Sequence, residues 1–553
     1  MNRPAIPAVT LAVAAALAIV GCGSSDNGSG SSTGQEGGKA TVLMGTAPDF
    51  LDPQLGYTTQ SAEATWISYT PLLTYRHADG KAGTELIPGL AGSLPTISAD
   101  GKTYKLKLRD GLVYSNGKPV KASDFAYTVE RAIKLNWGGK SFFTNNIVGA
   151  SAYDKGDASS ISGITTNDKT GEITIHLVRP YGAFANVLAF PAAGLVPSGT
   201  PMRNLTNDPP PGVGPYMITA VSPNRTFSVV KNPHFAALHL PDIPTGHLDK
   251  VTVNITSNTQ SEAQQVLSNQ ADAFDAGDTL PPSLLPQIES RAKDRFARED
   301  VPSTFYFFLN TQTAPFDNPL AREAANLALD RRALVRLASG FLKPECYFLP
   351  EGIVGHPTAS CPYGQPDQAP DVAKARALVK QAGLDGTKVT VWGQQRSPRK
   401  QYVEYYTSVL NSIGFKATPK IISDSVYFPT IGNAKTNPQT GFADWVQDFP
   451  NPSDFYLLMN AKTIQPTNNE NFSKVDDPHI QRELAKLDAV PATRLDSVAS
   501  EWESLDEYAA KKAYVATYGS EEVPKFLSNR IDFGSAVFHP LYFNDWSSWR
   551  LSS

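Results

Sequence analysis

Hydrophobic and polar positions along the first half of the chain predict a protein rich in short strands. Thr103–Arg109 alternates polar and apolar side chains, which is typical of a half-buried strand. Glu172–Val178 and Thr226–Lys231 predict two more strands. Gly-containing turn pairs such as Asp110-Gly111 follow these segments, so we expect antiparallel hairpins here.

One amphipathic helix interrupts this strand-rich region. Ser123 is a residue type that often caps a helix, and the positions after it show helical spacing. The apolar side chains that form one face recur every four residues, at Phe125, Val129 and Ile133. The pattern therefore predicts a helix that begins at Ser123 and packs on the strands.

The pattern after residue 300 is different, because helices and strands alternate. Helices are predicted from Pro319, over Val372–Ala382 with Asp371 as cap, and over Tyr402–Ile413. A strand is predicted over Phe442–Gln447. Such alternation is typical of a mostly parallel sheet, so this region is predicted to be α/β.

Length and charge narrow the class of protein. The chain has 553 residues, 41% of them hydrophobic, which is ordinary globular composition and long enough for two or more lobes. The 49 basic and 53 acidic side chains give a net charge of −4. Because basic side chains are not in excess, the protein lacks the positive electrostatic potential that attracts nucleic acid, and we do not expect nucleic-acid binding.

The N-terminus indicates export. Ala8–Gly21 is an apolar run of 14 residues, too short to span a bilayer but suited to a signal-peptide core, so residues 1–21 are predicted to be a signal peptide. The run ends at Cys22, in a context that resembles a bacterial lipobox, which predicts a lipidated cysteine. Residues 22–39, rich in Gly and Ser, then form a flexible tether. The alternative is an unlipidated secretory signal.

The remaining cysteines, Cys346 and Cys361, are predicted to form a disulfide, because an exported chain favours pairing of two thiols. Histidines at 234, 239 and 247 do not have a common metal-binding spacing, and an HExxH motif is absent. No metal site and no cofactor are expected.

A series of short strings carries a family resemblance. In chain order they are Leu51-Asp52-Pro53, Asp100–Gly111, Asn116–Val120, Ala122–Phe125, Gly212–Tyr216, Lys231–Pro233, Phe308–Thr311, Pro315-Phe316, Ala328–Arg331 and Trp445–Pro452. Together they resemble the family 5 solute-binding proteins of bacterial ABC importers, the oligopeptide, dipeptide and nickel-binding group. The resemblance extends from about residue 40 to about residue 550.

The resemblance implies an α/β fold of the two-lobed, periplasmic-binding-protein type (class II), with an extra small domain and a ligand cleft between the lobes. The implied ranges are 40–75, 200–302 and 524–553 for lobe I, 76–199 for the small domain (domain II) and 303–523 for lobe III. The chain would cross twice between lobes that close as rigid bodies on a solute.

The same resemblance implies a function in transport. The mature protein would be a monomer held by its lipid on the outer face of the cytoplasmic membrane, and it would deliver a solute, expected to be a peptide, to the permease subunits of an ABC importer. It would perform no chemistry, so it is not expected to be an enzyme. A surface hydrolase or an adhesin remains an alternative.

Candidate ligand-binding residues follow from position and from the resemblance together. Asp448 follows the strand Phe442–Gln447, and the matching aspartate in relatives receives the ammonium group of a peptide. Trp445 and Tyr427 are expected to form aromatic walls, and Tyr57, Thr58 and Thr59 to form a strand that pairs with the peptide. The alternatives are core packing for the aromatic residues and a structural hydrogen bond for Asp448.

Two departures from the family pattern leave the chemical class of the solute undetermined. Asp444 replaces a common glycine, and Phe442 stands where some relatives carry a basic residue. Arg396, Arg399 and Lys400 follow the strand at Val389–Trp392 and are expected in a solvated loop or at a helix start, with a position along the cleft as the alternative. A cationic solute, a sugar-like solute or a metal complex is therefore an alternative to a peptide.

Overall fold

The computed structural model describes residues 34–256 and 258–553, without the side chain of Ser425. The predicted signal peptide, the lipidation site Cys22 and most of the predicted tether lie outside the described residues. The end of the tether is already part of the folded body: the Gln35 N–H donates to the Leu551 carbonyl at 2.8 Å and the Gly37 N–H to the His247 carbonyl at 2.7 Å. Within the described residues, no helix is long and apolar enough to cross a membrane.

The strands form one sheet that runs through the molecule and several small ones. The strands are β1 (Lys39–Met44), β2 (Leu73–Tyr75), β3 (Leu86–Pro88), β4 (Thr96–Ile97), β5 (Thr103–Lys107), β6 (Ile164–Asn167), β7 (Glu172–His176), β8 (Tyr216–Ser222), β9 (Thr226–Lys231), β10 (Lys250–Ile255), β11 (Ala273–Phe274), β12 (Phe296–Asp300), β13 (Ser303–Leu309), β14 (Leu342–Pro344), β15 (Lys388–Gln394), β16 (Lys416–Ile422), β17 (Thr440–Val446), β18 (Val515–Leu527), β19 (Phe538–His539) and β20 (Phe543–Asn544).

Helices cover these sheets. They are α1 (Thr59–Trp66), α2 (Ala122–Lys134), α3 (Ser141–Thr144), α4 (Ala150–Lys155), α5 (Phe184–Val187), α6 (Thr259–Leu267), α7 (Leu285–Arg291), α8 (Pro319–Leu327), α9 (Arg331–Leu337), α10 (Val372–Gln381), α11 (Arg399–Ser412), α12 (Asp424–Ile431), α13 (Pro452–Tyr456), α14 (Pro478–Leu487) and α15 (Ala499–Lys511).

The central sheet has the order β16-β15-β17-β13-β18-β11-β1-β10-β9-β8 and joins the two lobes. The first part of β18 pairs with β13 and β14, and its last part pairs with β12 and β11. The second connection is the short link Val301-Pro302 between β12 and β13. Both connections lie beside the lobe boundaries predicted from the sequence, at 302/303 and 523/524. The exact boundaries stay a prediction.

Two large apolar cores match this division. One gathers buried side chains between residues 40 and 253 and near the C-terminus, and the other gathers side chains between residues 305 and 518. The predicted small domain has its own sheet, in the order β4-β5-β7-β6. However, its apolar side chains belong to the first core, so the small domain is packed firmly on lobe I.

The expected sheet of lobe III is only partly parallel, which corrects the sequence prediction. β15 is parallel to β16 and β17, but β13 is antiparallel to both β17 and β18. The reason lies in the connections. β13 enters lobe III directly from lobe I and β18 leaves it again, so these two strands need opposite directions and no crossover helix.

The first predicted helix is present, but Ser123 does not cap it. α2 begins at Ala122, and its buried face contains Phe125, Val129 and Ile133 as predicted. The Asp124 carboxylate accepts a hydrogen bond from the Lys121 N–H at 2.9 Å, while the Ser123 hydroxyl donates to Asp168 at 2.9 Å. The acid three positions into the helix therefore takes the capping role.

Other sequence predictions for lobe III are confirmed. Asp371 caps α10 by accepting from the Lys374 N–H at 2.9 Å. Cys346 and Cys361 form a disulfide with their Cα atoms 6.0 Å apart. This bond closes a loop within the segment that follows β14.

The motif Leu51-Asp52-Pro53 contributes one member of a buried ion pair, the Asp52 carboxylate. The Arg131 guanidinium on α2 donates two hydrogen bonds of 2.6 Å to the Asp52 carboxylate, and both side chains are fully buried. Arg131 also donates to Gln54 and to two backbone carbonyls, and Asp52 also accepts from the Leu205 N–H. This network fixes the small domain to lobe I with its polar groups satisfied.

Candidate ligand-binding cleft

Tyr57 and Asp448 meet across the space between the lobes. The Tyr57 hydroxyl, from lobe I, donates to Asp448 Oδ2 in lobe III at 2.6 Å. The two residues are 391 positions apart in the sequence. Both were predicted ligand-binding residues, and the structure brings them into direct contact.

Local structure holds Asp448 at the end of a strand, as expected. β17 ends at Val446, and the chain turns at Phe449-Pro450 before α13 begins. Asp454, on α13, accepts a hydrogen bond from the Asp448 N–H at 2.7 Å. The Asp448 backbone is therefore fixed by its neighbour, and its carboxylate is free to face lobe I.

Tyr57 is held differently from the prediction, because residues 57–59 do not form a strand. Thr58 caps α1, and its hydroxyl donates to Asp49 at 3.0 Å. Thr59 is the first residue of that helix. The Tyr57 N–H donates to the same Asp49 carboxylate, and the tyrosine ring lies edge-on to Trp137 at 5.6 Å between centroids. A helix cap thus replaces the expected peptide-pairing strand.

Burial disfavours charge on Asp448. Desolvation raises the pKa of its carboxyl to about 7, and the hydrogen bond from Tyr57 lowers the pKa in part. Burial and the nearby Asp448 charge raise the pKa of Asp454 well above its usual value. Among the residues that the structure describes, no Lys, Arg or His forms an ion pair with Asp448 or Asp454.

The two predicted aromatic walls differ in position. Trp445, near the end of β17, is half-buried, and its indole lies beside the Asp454 carboxyl. Tyr427 is fully buried, and its hydroxyl donates to the carbonyls of Trp392 and Phe442. Its position corrects the prediction of a cleft wall, because both of its polar contacts lie inside lobe III.

The departures at Asp444 and Phe442 share one explanation. Arg399, at the start of α11, forms an ion pair with Asp444, and its guanidinium lies 5.1 Å from the Phe442 ring centroid. The extra acid therefore neutralises an arginine of the same lobe. Arg399 stands at a helix start, as expected, and it is half-buried rather than solvated.

Arg396 makes a second contact between the lobes, which agrees with the alternative of a position along the cleft. Its Nη2 donates to the Gly277 carbonyl of lobe I at 2.7 Å and lies 3.9 Å from Asp278 Oδ1. The expectation of a solvated loop is therefore wrong for this residue. The sequence shows only that residue 396 is an arginine, because an isolated charged residue on a loop has no periodic pattern that would indicate its contacts.

A third contact joins the small domain to lobe III. The Gly182 N–H donates to the Asp488 carbonyl at 2.7 Å, and Arg179 lies 3.8 Å from the Asp488 carboxylate. The rings of Phe142 and Phe449 are 5.6 Å apart. Among the described residues, lobe III therefore touches lobe I and the small domain at several places around the cleft.

Gly182 gives a direct test of lobe closure. A Cβ atom at this position would lie 1.7 Å from the Val490 carbonyl oxygen of lobe III, so any side chain blocks the contact. We expect Gly182→Ala to weaken solute binding at least about tenfold, about 1.4 kcal/mol, while each lobe stays folded. Calorimetry would measure the affinity and small-angle scattering the compaction.

Gly92→Ala is the matched control in the same domain, because its Cβ would meet only a carbonyl oxygen at an ordinary 3.8 Å. Unchanged affinity and compaction in Gly182→Ala would show that this contact is not part of the closed, solute-bound state.

Within residues 34–256 and 258–553, no three His, Cys, Asp or Glu side chains are arranged to hold a metal ion. The cleft instead offers a carboxylate, a tyrosine hydroxyl and an indole from two opposed lobes.

The chain passes between the two lobes twice, and polar groups of the two lobes face each other across a cleft. This arrangement defines the class of two-lobed solute-binding proteins. Residues 85–466 match the bacterial extracellular solute-binding proteins, family 5 Middle, and the chain belongs to this family. The predicted family and fold class are thereby confirmed. The family is one of binding proteins rather than enzymes.

Curated relatives match a part of the chain. The glutathione-binding protein GsiB of Shigella flexneri is 29% identical over 330 residues, and GsiB of Escherichia coli strain K12 shows the same identity over the same length. Each match covers 58% of this chain and 58% of the relative. The match thus spans less than two thirds of these relatives.

Solved structures match nearly the whole chain. The clavulanic acid biosynthesis oligopeptide binding protein 2 has a TM-score of 0.84 at 21% identity, covering 94% of this chain and 96% of its own. The murein tripeptide binding protein MppA of Escherichia coli has a TM-score of 0.79 at 19% identity, covering 94% and 100%. DppA from Helicobacter pylori, in complex with the peptide STSA, has a TM-score of 0.77 at 22% identity, covering 94% and 99%. At these identities the likeness establishes the fold.

Proposed function

We propose that this protein is an exported receptor that binds a solute with a primary ammonium group, a short peptide, and delivers it unchanged to the permease of an ABC importer. The observation that carries the proposal is the Asp448 carboxylate. It lies between the lobes, it is bonded to Tyr57 of the opposite lobe, and no described basic side chain pairs with it.

The energetics of that carboxylate favour a cationic ligand. Burial raises the pKa of Asp448 to about 7, which means that the surroundings of this carboxyl disfavour its charged form. An ammonium group that contacts Asp448 beside its hydrogen bond with Tyr57 would supply the missing positive charge close to both lobes. Such a ligand stabilises the closed form by its different contacts in the two states.

The names of the relatives agree with this solute class. GsiB is named for glutathione, and the DppA structure contains the peptide STSA. Glutathione and a free peptide both carry an α-ammonium group. In this proposal Asp448, Tyr57 and Trp445 contact the ligand, while Thr58 and Thr59 hold Tyr57 in place.

The membrane attachment is proposed from the sequence. Cys22 would carry the lipid, and the tether that follows it would reach to Gln35, where the folded body begins. Lipid on one cysteine would keep the receptor near its permease on the outer face of the cytoplasmic membrane.

Mass spectrometry of the solute released from the purified protein by denaturation tests the proposal. We expect a peptide or another molecule with a free α-ammonium group. Calorimetry with a panel of short peptides and glutathione would follow, with each ligand also supplied in N-acetylated form, and acetylation should abolish most of the affinity. Sustained hydrolysis of the ligands would favour the surface hydrolase instead, and full affinity for acetylated ligands would contradict the ammonium site.

A further inference from the structure

A separate pocket lies where the small domain meets lobe III, and we call it the interdomain pocket. Its volume is about 50 Å³. About four water molecules, at roughly 10–15 Å³ each, would fill that space. Its lining includes Phe142, Asn146, Arg179 and Tyr181 of the small domain and Ser453 and Asp488 of lobe III. Because both sides contribute to the lining, the pocket is complete only when the lobes are closed.

Three polar groups in the interdomain pocket lack a hydrogen-bond partner among the described residues. Asn146 is 4% exposed, and its Nδ2 donates to the Phe142 carbonyl at 2.9 Å, but its buried Oδ1 has no donor. The Arg179 guanidinium and the Asp488 carboxylate lie 3.8 Å apart, which is too far for a direct hydrogen bond. Since nearly all buried polar atoms in folded proteins are hydrogen-bonded, these three groups indicate that a polar group fills the pocket.

The charges of the lining favour a neutral occupant. Of the described side chains that line the pocket, Arg179 and Asp488 are charged, and their charges cancel. A cation bound to Asp488 would meet Arg179, while an anion bound to Arg179 would meet Asp488 and the Asn146 oxygen. A primary carboxamide avoids both conflicts, because its nitrogen donates two hydrogen bonds and its oxygen accepts. This group and its attached carbon have a size that the pocket can hold.

Helix α13 connects the interdomain pocket to the ligand-binding cleft. Ser453, on this helix, lines the pocket, and the next residue, Asp454, accepts the hydrogen bond from the Asp448 N–H at 2.7 Å. On the other side of the pocket, the Tyr181 hydroxyl lies 3.5 Å from the Ser453 hydroxyl. An occupant that contacts both sides therefore stabilises the closed arrangement in which Asp448 lies opposite lobe I.

We propose that the interdomain pocket binds a primary carboxamide group and that this binding stabilises the closed lobes. The carboxamide nitrogen donates to Asn146 Oδ1 and to the Asp488 carboxylate, and its oxygen accepts from Arg179. A free small amide and the side chain of an asparagine or glutamine in the solute present the same atoms. The inference goes beyond the proposed function, since binding of a free amide does not require that the solute is a peptide.

Saturation-transfer NMR with acetamide and the purified protein tests the pocket. Acetate and acetamidinium are the matched probes, because they have the same planar shape and four non-hydrogen atoms but carry a negative or a positive charge. We expect a dissociation constant for acetamide in roughly the millimolar range, because so small a ligand makes few contacts. It should bind at least about fivefold more tightly than either charged probe.

Asn146→Leu locates the binding of acetamide, because it removes the unpartnered acceptor and keeps a side chain of similar size. We expect it to abolish the acetamide signal. Asn116→Ala is the matched control in the same domain, since Asn116 is exposed and its Oδ1 accepts only from the Lys118 N–H at 3.1 Å. This control should bind acetamide as the wild-type protein does. The comparison of the three probes on the wild-type protein stands even if Asn146→Leu does not fold.

Two series of tripeptides distinguish the two sources of the amide. One series places a single glutamine at each position among alanines, and the other places methionine there. If the solute supplies the amide, a glutamine peptide should displace acetamide and the methionine peptides should not. If a free amide is the natural occupant, saturating acetamide should raise the affinity for both series at least about threefold, because both ligands favour the closed form.

The outcomes separate failure of the inference from failure of the proposed function. No binding of acetamide would mean that the pocket holds water only, and equal binding of the three probes, or an unchanged signal in a folded Asn146→Leu, would also overturn the inference. Acetamide binding that changes neither peptide affinity nor the radius of gyration in small-angle scattering would overturn the link to closure. If acetamide binds at Asn146 but no peptide binds in the cleft, the pocket stands and the peptide-receptor function fails.

Discussion

Asp448→Ala is expected to weaken solute binding by about 2–5 kcal/mol, the range for removing one member of a buried charge pair. The reason is that closure desolvates the carboxylate and the ligand cation together, and removing the carboxylate leaves the cation buried without a partner. Tyr57 would also lose the acceptor of its 2.6 Å hydrogen bond, so a contact between the lobes disappears at the same time. Calorimetry with the co-purified solute measures the loss.

Asp448→Asn separates charge from shape in this experiment. The amide keeps the size of the side chain and can still accept from Tyr57, so a loss almost as large as that of the alanine variant would show that charge dominates. Using N-acetylated ligand with each variant completes a double-mutant cycle. A sharp fall in melting temperature with intact affinity would instead show that Asp448 is structural.

The same residue predicts how affinity depends on pH. Because its pKa is raised to about 7, the carboxyl takes up a proton as the pH falls below 7, and a cationic ligand must then displace that proton. Affinity should therefore fall by up to about tenfold for each pH unit below 7 in the wild-type protein. The Asp448→Asn variant should lose this dependence, and a wild-type profile without a slope would argue against an ionised Asp448 in the complex.

Asp52→Ala is expected to destabilise the folded protein by about 3–5 kcal/mol, since it leaves the fully buried Arg131 guanidinium without its counter-ion. Part of the network would remain, because Arg131 also donates to the Pro201 and Arg203 carbonyls. Thermal and denaturant unfolding would measure the change. We expect the small domain to loosen first, because Arg131 belongs to α2 and Asp52 belongs to lobe I.

Glu85→Ala is the matched control for a surface pair, since Glu85 and Arg76 are 57% and 35% exposed. Its loss should leave the unfolding transition close to that of the wild-type protein, because solvent screens an exposed ion pair. The double variant Asp52→Leu with Arg131→Met removes both charges, and it should recover a large part of the stability lost in Asp52→Ala. If Asp52→Ala and Glu85→Ala behave alike, the buried network does not hold the small domain in place.

The sequence predicted local structure better than contacts between distant segments. Alternation correctly located β5 and β9, and four-residue spacing located the buried face of α2, because each pattern reports which side of one element is apolar. The directions of β13 and β18 depend on where the chain crosses between lobes, which no local pattern contains. The strand expected at Tyr57 failed because Thr58 and Ser61 have the spacing of a helix cap, a signal that was available.

Candidate site residues show the same limit. Asp448 and Tyr57 were both expected in the cleft, but their hydrogen bond joins opposite lobes and was not foreseen. Tyr427 is at a position where relatives often carry an aromatic wall, but this resemblance does not distinguish a cleft wall from the fully buried core side chain that it is. Arg396 lies on an irregular segment between β15 and α11, so the sequence allowed both a position along the cleft and a solvated loop.

The long strand β18 restricts how the two lobes can move. Its 13 residues belong to both lobes, and the Val301-Pro302 link runs beside it in the opposite direction. A single connection would let one lobe rotate about the chain. Two adjacent antiparallel connections resist such rotation, so the motion that remains easy is bending of the two lobes about one axis. Solutes of different length would therefore close the cleft along the same path and present the same outer surface.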